Sequence, residues 1–118
     1  MGNSISDRLL EFAANSVRLG PVLNRSIEGR HIYKQMFRAV TGAGANYEES
    51  QSAESRRDFI HKLQVALKEL KESLYWFKLI DKAELVPGKE EVLALMLREN
   101  GELVKIIGKS VVTAKSKL

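Results

Sequence analysis

The sequence contains no cysteine, and this absence excludes a disulfide framework and any cysteine-ligated metal site. It has only two prolines, Pro21 and Pro87, so long segments run without a helix breaker and favour helix over sheet. No apolar run approaches the ~18 residues that are needed to span a bilayer. The lack of cysteine and of a membrane span predicts a cytoplasmic protein.

The chain opens on Met1-Gly2-Asn3-Ser4-Ile5-Ser6, which matches the pattern for N-terminal myristoylation. A short pattern with three fixed positions arises easily by chance. Stable anchoring also needs a second signal, and no polybasic cluster follows this start. We therefore expect neither a lipid anchor nor a membrane partner.

The net charge of +4 is concentrated at the end of the chain. Residues 103–118 carry four lysines and no acid, whereas the remaining residues hold 15 basic and 15 acidic side chains. These lysines could bind a polyanion, or they could complement the dipole of a final helix and stay solvated. They are Lys105, Lys109, Lys115 and Lys117.

Four amphipathic segments follow one another with short connections, at about 6–23, 27–52, 55–83 and 88–115. Each shows apolar residues at three- and four-residue spacing; in the third segment this stripe starts at Phe59 and is widened by Ile60, Leu67 and Leu74. Gly20-Pro21 should kink or end the first helix, and Ser55 with Asp58 forms a variant of the capping box. The pattern predicts one all-α domain over residues 1–118, an antiparallel up-and-down four-helix bundle.

The second segment carries three cations on one face. Arg30, Lys34 and Arg38 follow one another at four-residue spacing, and no acid occurs between residues 29 and 47. This spacing is typical of a solvated helix face, and it also suits a stripe that contacts phosphates.

No catalytic constellation is legible, and we predict no enzyme activity, cofactor or metal. Glu28 with His31, and Asp58 with His61, have the spacing of di-iron bundle ligands, but antiparallel helices would place the two motifs at opposite ends. The small residues from Gly42 to Ala45 lack the third glycine of a nucleotide loop and follow a helical pattern. They instead predict close approach of another backbone, either within the bundle or between subunits.

The block from Leu74 to Phe77 carries the most aromatic surface. Successive helix residues point about 100° apart, so one core cannot bury all four side chains. Phe77 belongs to the core stripe, whereas Trp76 joins Val65 and Leu79 on a second stripe. Exposed aromatic surface predicts self-association; alternatively, Trp76 lies flat in a groove between two helices of one subunit.

Five short runs carry a family resemblance: Gly44–Glu49, Ala53–Ser55, Asp58–Leu63, Ala66–Glu69 and Tyr75-Trp76. They resemble the bacterial four-helix-bundle proteins that are encoded in 23S rRNA intervening sequences. The resemblance implies a bacterial, cytosolic homo-oligomeric ring, with a pentamer favoured, and no established enzymatic activity. A more distant similarity, to the accessory protein of diversity-generating retroelements, implies a reverse transcriptase and nucleic acid as partners.

Two functional hypotheses follow. In the first, a non-enzymatic homo-oligomer associates with RNA, and its phosphate contacts are Arg30, Lys34, Arg38, Lys105, Lys109, Lys115 and Lys117. In the second, the protein is an interaction scaffold without a nucleic-acid role. The subunit or partner contacts are then Asn46, Glu49, Glu54, Asp58, Val65, Trp76 and Leu79. No known RNA-binding motif or aromatic-plus-basic platform is visible in the sequence.

Overall fold

The computed structural model describes residues 4–118, so Met1 to Asn3 of the myristoylation pattern lie outside the described residues. Within this range all regular secondary structure is helical, and none of the helices combines the length and apolarity that a membrane crossing requires. The helices are α1 (Ile5–Ser16), α2 (Gly20–Leu23), α3 (Ile27–Gln51), α4 (Arg56–Lys82) and α5 (Glu90–Lys115), with a 3-10 turn at Val17–Leu19.

The first helical segment is bent rather than ended at Gly20-Pro21. The α1 helix tightens into the 3-10 turn, and α2 continues from it with the proline in its first turn. Proline is tolerated there because the first N–H groups of a helix have no partner within that helix. With α1, the turn and α2 counted as one bent segment, the four predicted helical segments are present.

Polar caps fix where the long helices begin. The Ser26 hydroxyl accepts a hydrogen bond from the Gly29 N–H at 2.9 Å, and α3 starts at the next residue. Ser55 accepts from the Asp58 N–H at 3.0 Å, while the Asp58 carboxylate accepts from the Glu54 N–H at 3.4 Å. The first bond satisfies an N–H group that the first turn of α4 leaves without a partner, and the second ties down the residue before the cap.

The corner between α2 and α3 requires glycine at position 29. A Cβ atom built on Gly29 would lie 1.9 Å from the carbonyl oxygen of Leu23, which is far inside van der Waals contact. Because the obstacle is backbone, no side-chain rotation could relieve it. Gly29 thus lets the end of α2 approach the first turn of α3 closely.

The bundle core is apolar, with one buried polar network between α4 and α5. Phe12 of α1 meets Phe77 of α4 edge to face, with ring centroids 5.9 Å apart. The fully buried Asn100 of α5 donates its amide to the Leu70 carbonyl at 2.8 Å and accepts from the Ser73 hydroxyl at 2.8 Å. Such a paired polar group fits one register of the two helices, so it helps to fix their alignment.

One sequence-based assignment to the core is wrong. Ile60, rather than Phe59, begins the buried face of α4, and Phe59 lies half-buried on the outside. Adjacent helix positions differ by about 100°, so a core stripe that starts one residue later turns the preceding ring away from the core.

The link from α4 to α5 contains two residues with positive φ, Glu84 at 55° and Gly88 at 87°. The Leu85 N–H donates to the Ile80 carbonyl at 3.1 Å and the Glu84 N–H to the Asp81 carbonyl, also at 3.1 Å, as in a Schellman cap. The turn at Pro87-Gly88 delays α5, which begins at Glu90 and not at residue 88.

Candidate nucleic-acid interface

Cationic side chains meet where α4 begins and α5 ends. The two helices run in opposite directions, so the first turn of α4 lies beside the last turns of α5. Between them is an open groove of about 410 Å³, which we call the basic groove. It is lined by Arg56, Phe59, Lys109, Ser110, Thr113, Ala114 and Lys117, a set without any acid.

The basic groove also contains an aromatic ring. The Arg56 guanidinium lies over the ring of half-buried Phe59, 5.8 Å from its centroid. A guanidinium over a ring face is held by the ring quadrupole while its N–H donors remain directed outward. The groove therefore offers a positioned fork of donors beside the ammonium groups of Lys109 and Lys117.

The predicted lysines in and just after α5 are exposed and form no ion pair. Among residues 4–118, no carboxylate lies within 4.0 Å of the ammonium groups of these four residues, which are Lys105, Lys109, Lys115 and Lys117. Lys105 and Lys109 are one turn apart on the same helix, so they extend the positive surface along α5 from the basic groove. Solvated cations of this kind can exchange small counterions for phosphates.

The predicted stripe on α3 is less available. Arg38 forms an ion pair with Glu72 and lies 3.6 Å from Glu69, both on α4. The hydrogen bond to Glu72 and the charge of that carboxylate raise the pKa of Arg38. Arg30 donates to the Asn24 carbonyl at 3.4 Å, and Lys34 is exposed. The stripe lies on α3, so the structure does not join it to the basic groove.

The predicted interface residues on α3 and at the start of α4 already have intrachain partners. The Asn46 amide donates to the Gly42 carbonyl at 2.8 Å, and Glu49 accepts from Lys62 at 2.7 Å. Asp58 belongs to the cap of α4 described above, and Glu54 is exposed.

The remaining predicted interface residues, Val65, Trp76 and Leu79, lie along α4 and are half-buried. The Trp76 indole donates to Glu72 at 3.0 Å, and its ring meets His31 of α3 edge to face at 6.1 Å. Trp76 thus occupies the α3–α4 groove of its own chain. It lies about 27 Å along the helix from Asp58, so the predicted interface residues do not form one patch.

A second groove, between α1 and α3, is largely apolar. This apolar groove has a volume of about 480 Å³ and is lined by Ser6, Asp7, Leu9, Leu10, Ala13, Thr41, Gly44, Ala45 and Glu48. The Leu10 side chain beside it is 73% exposed. Gly44 and Ala45 have no bulky side chain to fill the apolar groove. The small residues from Gly42 to Ala45 therefore lie within α3 and form no loop.

The acid-x-x-His motifs do not meet. His31 contacts Trp76, whereas His61 lies fifteen residues earlier on α4, about 22 Å along the helix axis. Over the described part of the chain, no group of three or more His, Asp or Glu side chains is arranged to hold a metal ion.

Comparison with known proteins assigns this bundle to a protein family. The sequence matches the family described as 23S rRNA-intervening sequence protein over residues 3–109. The chain belongs to this family. A solved relative is a protein of unknown function from the S23 ribosomal protein family of Bacteroides thetaiotaomicron. It is 32% identical, covers 92% of this chain and 98% of its own, and superposes with a TM-score of 0.79. No curated protein matches the sequence.

For this member of the 23S rRNA-intervening sequence family, sequence reasoning missed Arg56 and Phe59 as candidate binding residues. Both lie in the first turn after the Ser55 cap, a cue that was visible. In an antiparallel pair this turn must lie beside the end of α5, where the lysines concentrate. Combining the cap with the lysine-rich end of the chain could have identified the basic groove.

Proposed function

We propose that this protein is a non-enzymatic, self-associating bundle that binds RNA through phosphate contacts at the basic groove. The observation that carries the proposal is the convergence of Arg56, Lys109 and Lys117 on one groove whose lining contains no acid. Lys105 and Lys115 add charge along the same end of α5. Arginine forks and lysine ammonium groups are the usual protein partners of phosphate oxygens.

Ring assembly is the second part of the proposal. A ring-like homo-oligomer, with a pentamer favoured, is what the family resemblance implies. The apolar groove and the exposed Leu10 beside it supply a surface that a second copy could cover. Several basic grooves on one assembly would add their weak phosphate contacts through avidity, so a modest charge per subunit is sufficient.

Ribosomal RNA is the first RNA to test. The family name refers to 23S rRNA, and the name of the solved relative refers to a ribosomal protein family. Structured fragments of 23S rRNA are therefore suitable probes. The reverse transcriptase partner that the distant resemblance implies stays a prediction, because no feature of residues 4–118 points to it.

The RNA test is a binding titration across a salt series with the double variant K109E/K117E. Losing two phosphate contacts should reduce the slope of log K against log salt by about two, with weaker binding at every salt concentration. The matched control is the double variant R18E/R25E, which reverses the same number of charges at two exposed sites before α3, outside the basic groove. An equal change in both variants would assign the effect to net charge alone.

Light scattering on the full chain tests the assembly. The wild-type protein should have several times the mass of one subunit, and Leu10→Glu should lower it by placing a charge in the apolar contact. The control is Leu95→Glu, an exposed leucine on α5 that does not line the apolar groove. A monomeric wild-type protein would refute the ring.

The alternative function is a protein-interaction scaffold without RNA, and the apolar groove is the observation that favours it. Its rim carries Asp7 and Glu48, which would repel a phosphate backbone and suit a basic amphipathic helix. An assembled protein that fails to bind structured RNA at low salt would leave this alternative standing and end the RNA proposal.

A further inference from the structure

Three aromatic side chains meet on the α3–α4 side of the bundle, away from the basic groove. His31 of α3 and Trp76 of α4 lie edge to face with ring centroids 6.1 Å apart, and Tyr75 meets Trp76 at 5.1 Å. We call His31, Tyr75 and Trp76 the aromatic cluster. It lies about 25 Å along α4 from Phe59.

The cluster is partly open and partly fixed. Tyr75 is 59% exposed and His31 is also exposed, whereas Trp76 is half-buried between the helices. The Trp76 indole N–H donates to Glu72, and Arg38 donates to the same carboxylate. These bonds hold the indole in one orientation, so a ligand that contacts it loses little side-chain freedom on binding.

Cations surround the cluster. Lys71 and Lys78 lie one turn before and one turn after Tyr75, and Lys34 lies one turn after His31; all three are exposed. Two acids are near, but Glu72 is already paired with Arg38, which leaves Glu28 one turn before His31. An open aromatic ring among lysines is the combination that binds single-stranded nucleic acid, since the bases stack on the ring and the phosphates meet the ammonium groups.

We propose that the aromatic cluster stacks an unpaired base of a bound RNA strand, with Tyr75 as the main stacking surface and Lys34, Lys71 and Lys78 as phosphate contacts. The proposal rests on the proposed RNA-binding function and adds a preference for single-stranded segments. A second copy of this chain is a poorer occupant, because three lysines would then require an acidic face opposite them. The two sites then have different roles: the basic groove binds phosphates, and the aromatic cluster contacts exposed bases.

Trp76 is the only tryptophan in the chain, so intrinsic fluorescence reports on the cluster directly. The experiment titrates the full-length protein with hexaadenylate and with an abasic ribose-phosphate hexamer of the same charge. Hexaadenylate should quench Trp76 and bind about tenfold more tightly than the abasic hexamer. Tyr75→Ala should remove most of that difference, and Tyr75→Phe, which keeps the ring, should retain it.

Lys109→Glu is the matched control, because it changes the basic groove and leaves the cluster intact. It should weaken both hexamers by a similar factor without changing the quenching at saturation. Equal affinity for the two hexamers, with Tyr75→Ala indistinguishable from wild type, would overturn base stacking and leave RNA binding in place.

Two further outcomes would also overturn the proposal. Failure of both hexamers and of structured RNA to bind at low salt would remove the RNA function itself, and base stacking with it. A fall in the mass of the assembly on Tyr75→Ala would show that the cluster is a contact between subunits.

Discussion

Both neighbours of α4 share its apolar core, but their polar contacts with it differ: those with α5 are buried and paired, whereas those with α3 are charges and aromatic rings at the surface. Asn100 and Ser73 are fully buried in the first contact. In the second, Arg38, Glu72 and Trp76 remain partly open to water. The buried polar groups between α4 and α5 therefore fix the fold, whereas the polar groups at the surface between α4 and α3 can still interact with a ligand.

The two kinds of contact differ in the free energy that is lost when a polar group is left without its partner. A buried amide left without a partner gives up the full free energy of its hydration, whereas an ion pair at the surface is replaced by water when it breaks. Substitutions in the buried contact of α4 with α5 should therefore act on stability. Those in the surface contact of α4 with α3 should act on salt and pH dependence and on binding.

The largest expected effect is that of Asn100→Asp. A carboxylate at this buried position cannot donate to the Leu70 carbonyl, so its charge has no counterpart. We expect a loss of about 3 kcal/mol in the free energy of unfolding at pH 7, measured by urea denaturation. Burial would raise the pKa of the new carboxyl group, so the loss should shrink as the pH falls.

Asn46→Asp is the control for this change. It makes the same chemical substitution at a half-buried amide of α3, where water can reach the new charge. We expect a clearly smaller loss there. Equal losses at the two positions would contradict the distinction between the two sides of α4.

Ser73→Ala should have an intermediate effect. The variant removes a donor to the Asn100 carbonyl oxygen and leaves that atom buried without its partner, at a cost of about 1 kcal/mol. Ser110→Ala is the comparison, since that hydroxyl donates within its own helix to the Ile106 carbonyl at 3.1 Å. Its loss should be close to zero, because alanine is the better helix former.

On the α3 side, Arg38→Ala should change stability less than Ser73→Ala, and the change should depend on salt. The ion pair with Glu72 lies at the surface, where salt screens it. Thermal unfolding of wild type and variant should differ at low ionic strength and converge in high salt. A difference that persists at high salt would show that Arg38 acts by packing.

The smallest expected effect concerns acid. The hydrogen bond from Trp76, followed by that from Arg38, lowers the pKa of Glu72 below its ordinary value of 4.5, against an opposing effect of burial. A carboxyl group whose pKa is lowered in the folded state stabilises the fold at higher pH. This contribution is lost as the pH falls below about 4.5. Glu72→Gln should make the acid side of the stability curve slightly less steep, with a parallel change in Trp76 fluorescence.

Sequence reasoning predicted the bundle because helical periodicity determines which residues face a core. In α5, Met96, Asn100, Leu103 and Ile107 follow the three- and four-residue spacing of a core stripe, and all four are buried. Periodicity does not determine which residues of two helices come into contact. That depends on rotation and offset, and for this reason the pairing of Arg38 with Glu72 was not foreseen.

The residues that meet at the candidate sites could likewise not be predicted from helical periodicity alone. The lysines of α5 were identified from charge alone, but Arg56 and Phe59 joined them only through packing between residues about fifty positions apart. For Trp76, the sequence indicated that one core could not bury the whole aromatic block. It could not show that the α3–α4 groove is wide enough to take half of the indole beside His31, or that Tyr75 would remain the open ring.

The link between α4 and α5 has a practical consequence. Gly88 is exposed, and a Cβ atom built on it would have no neighbour within 4 Å. The link lies at the end of the bundle opposite the basic groove, and it does not line the apolar groove. A peptide or a fluorescent label inserted beside Gly88 should therefore be tolerated, and it would let assembly and phosphate binding be followed without altering the basic groove or the apolar groove.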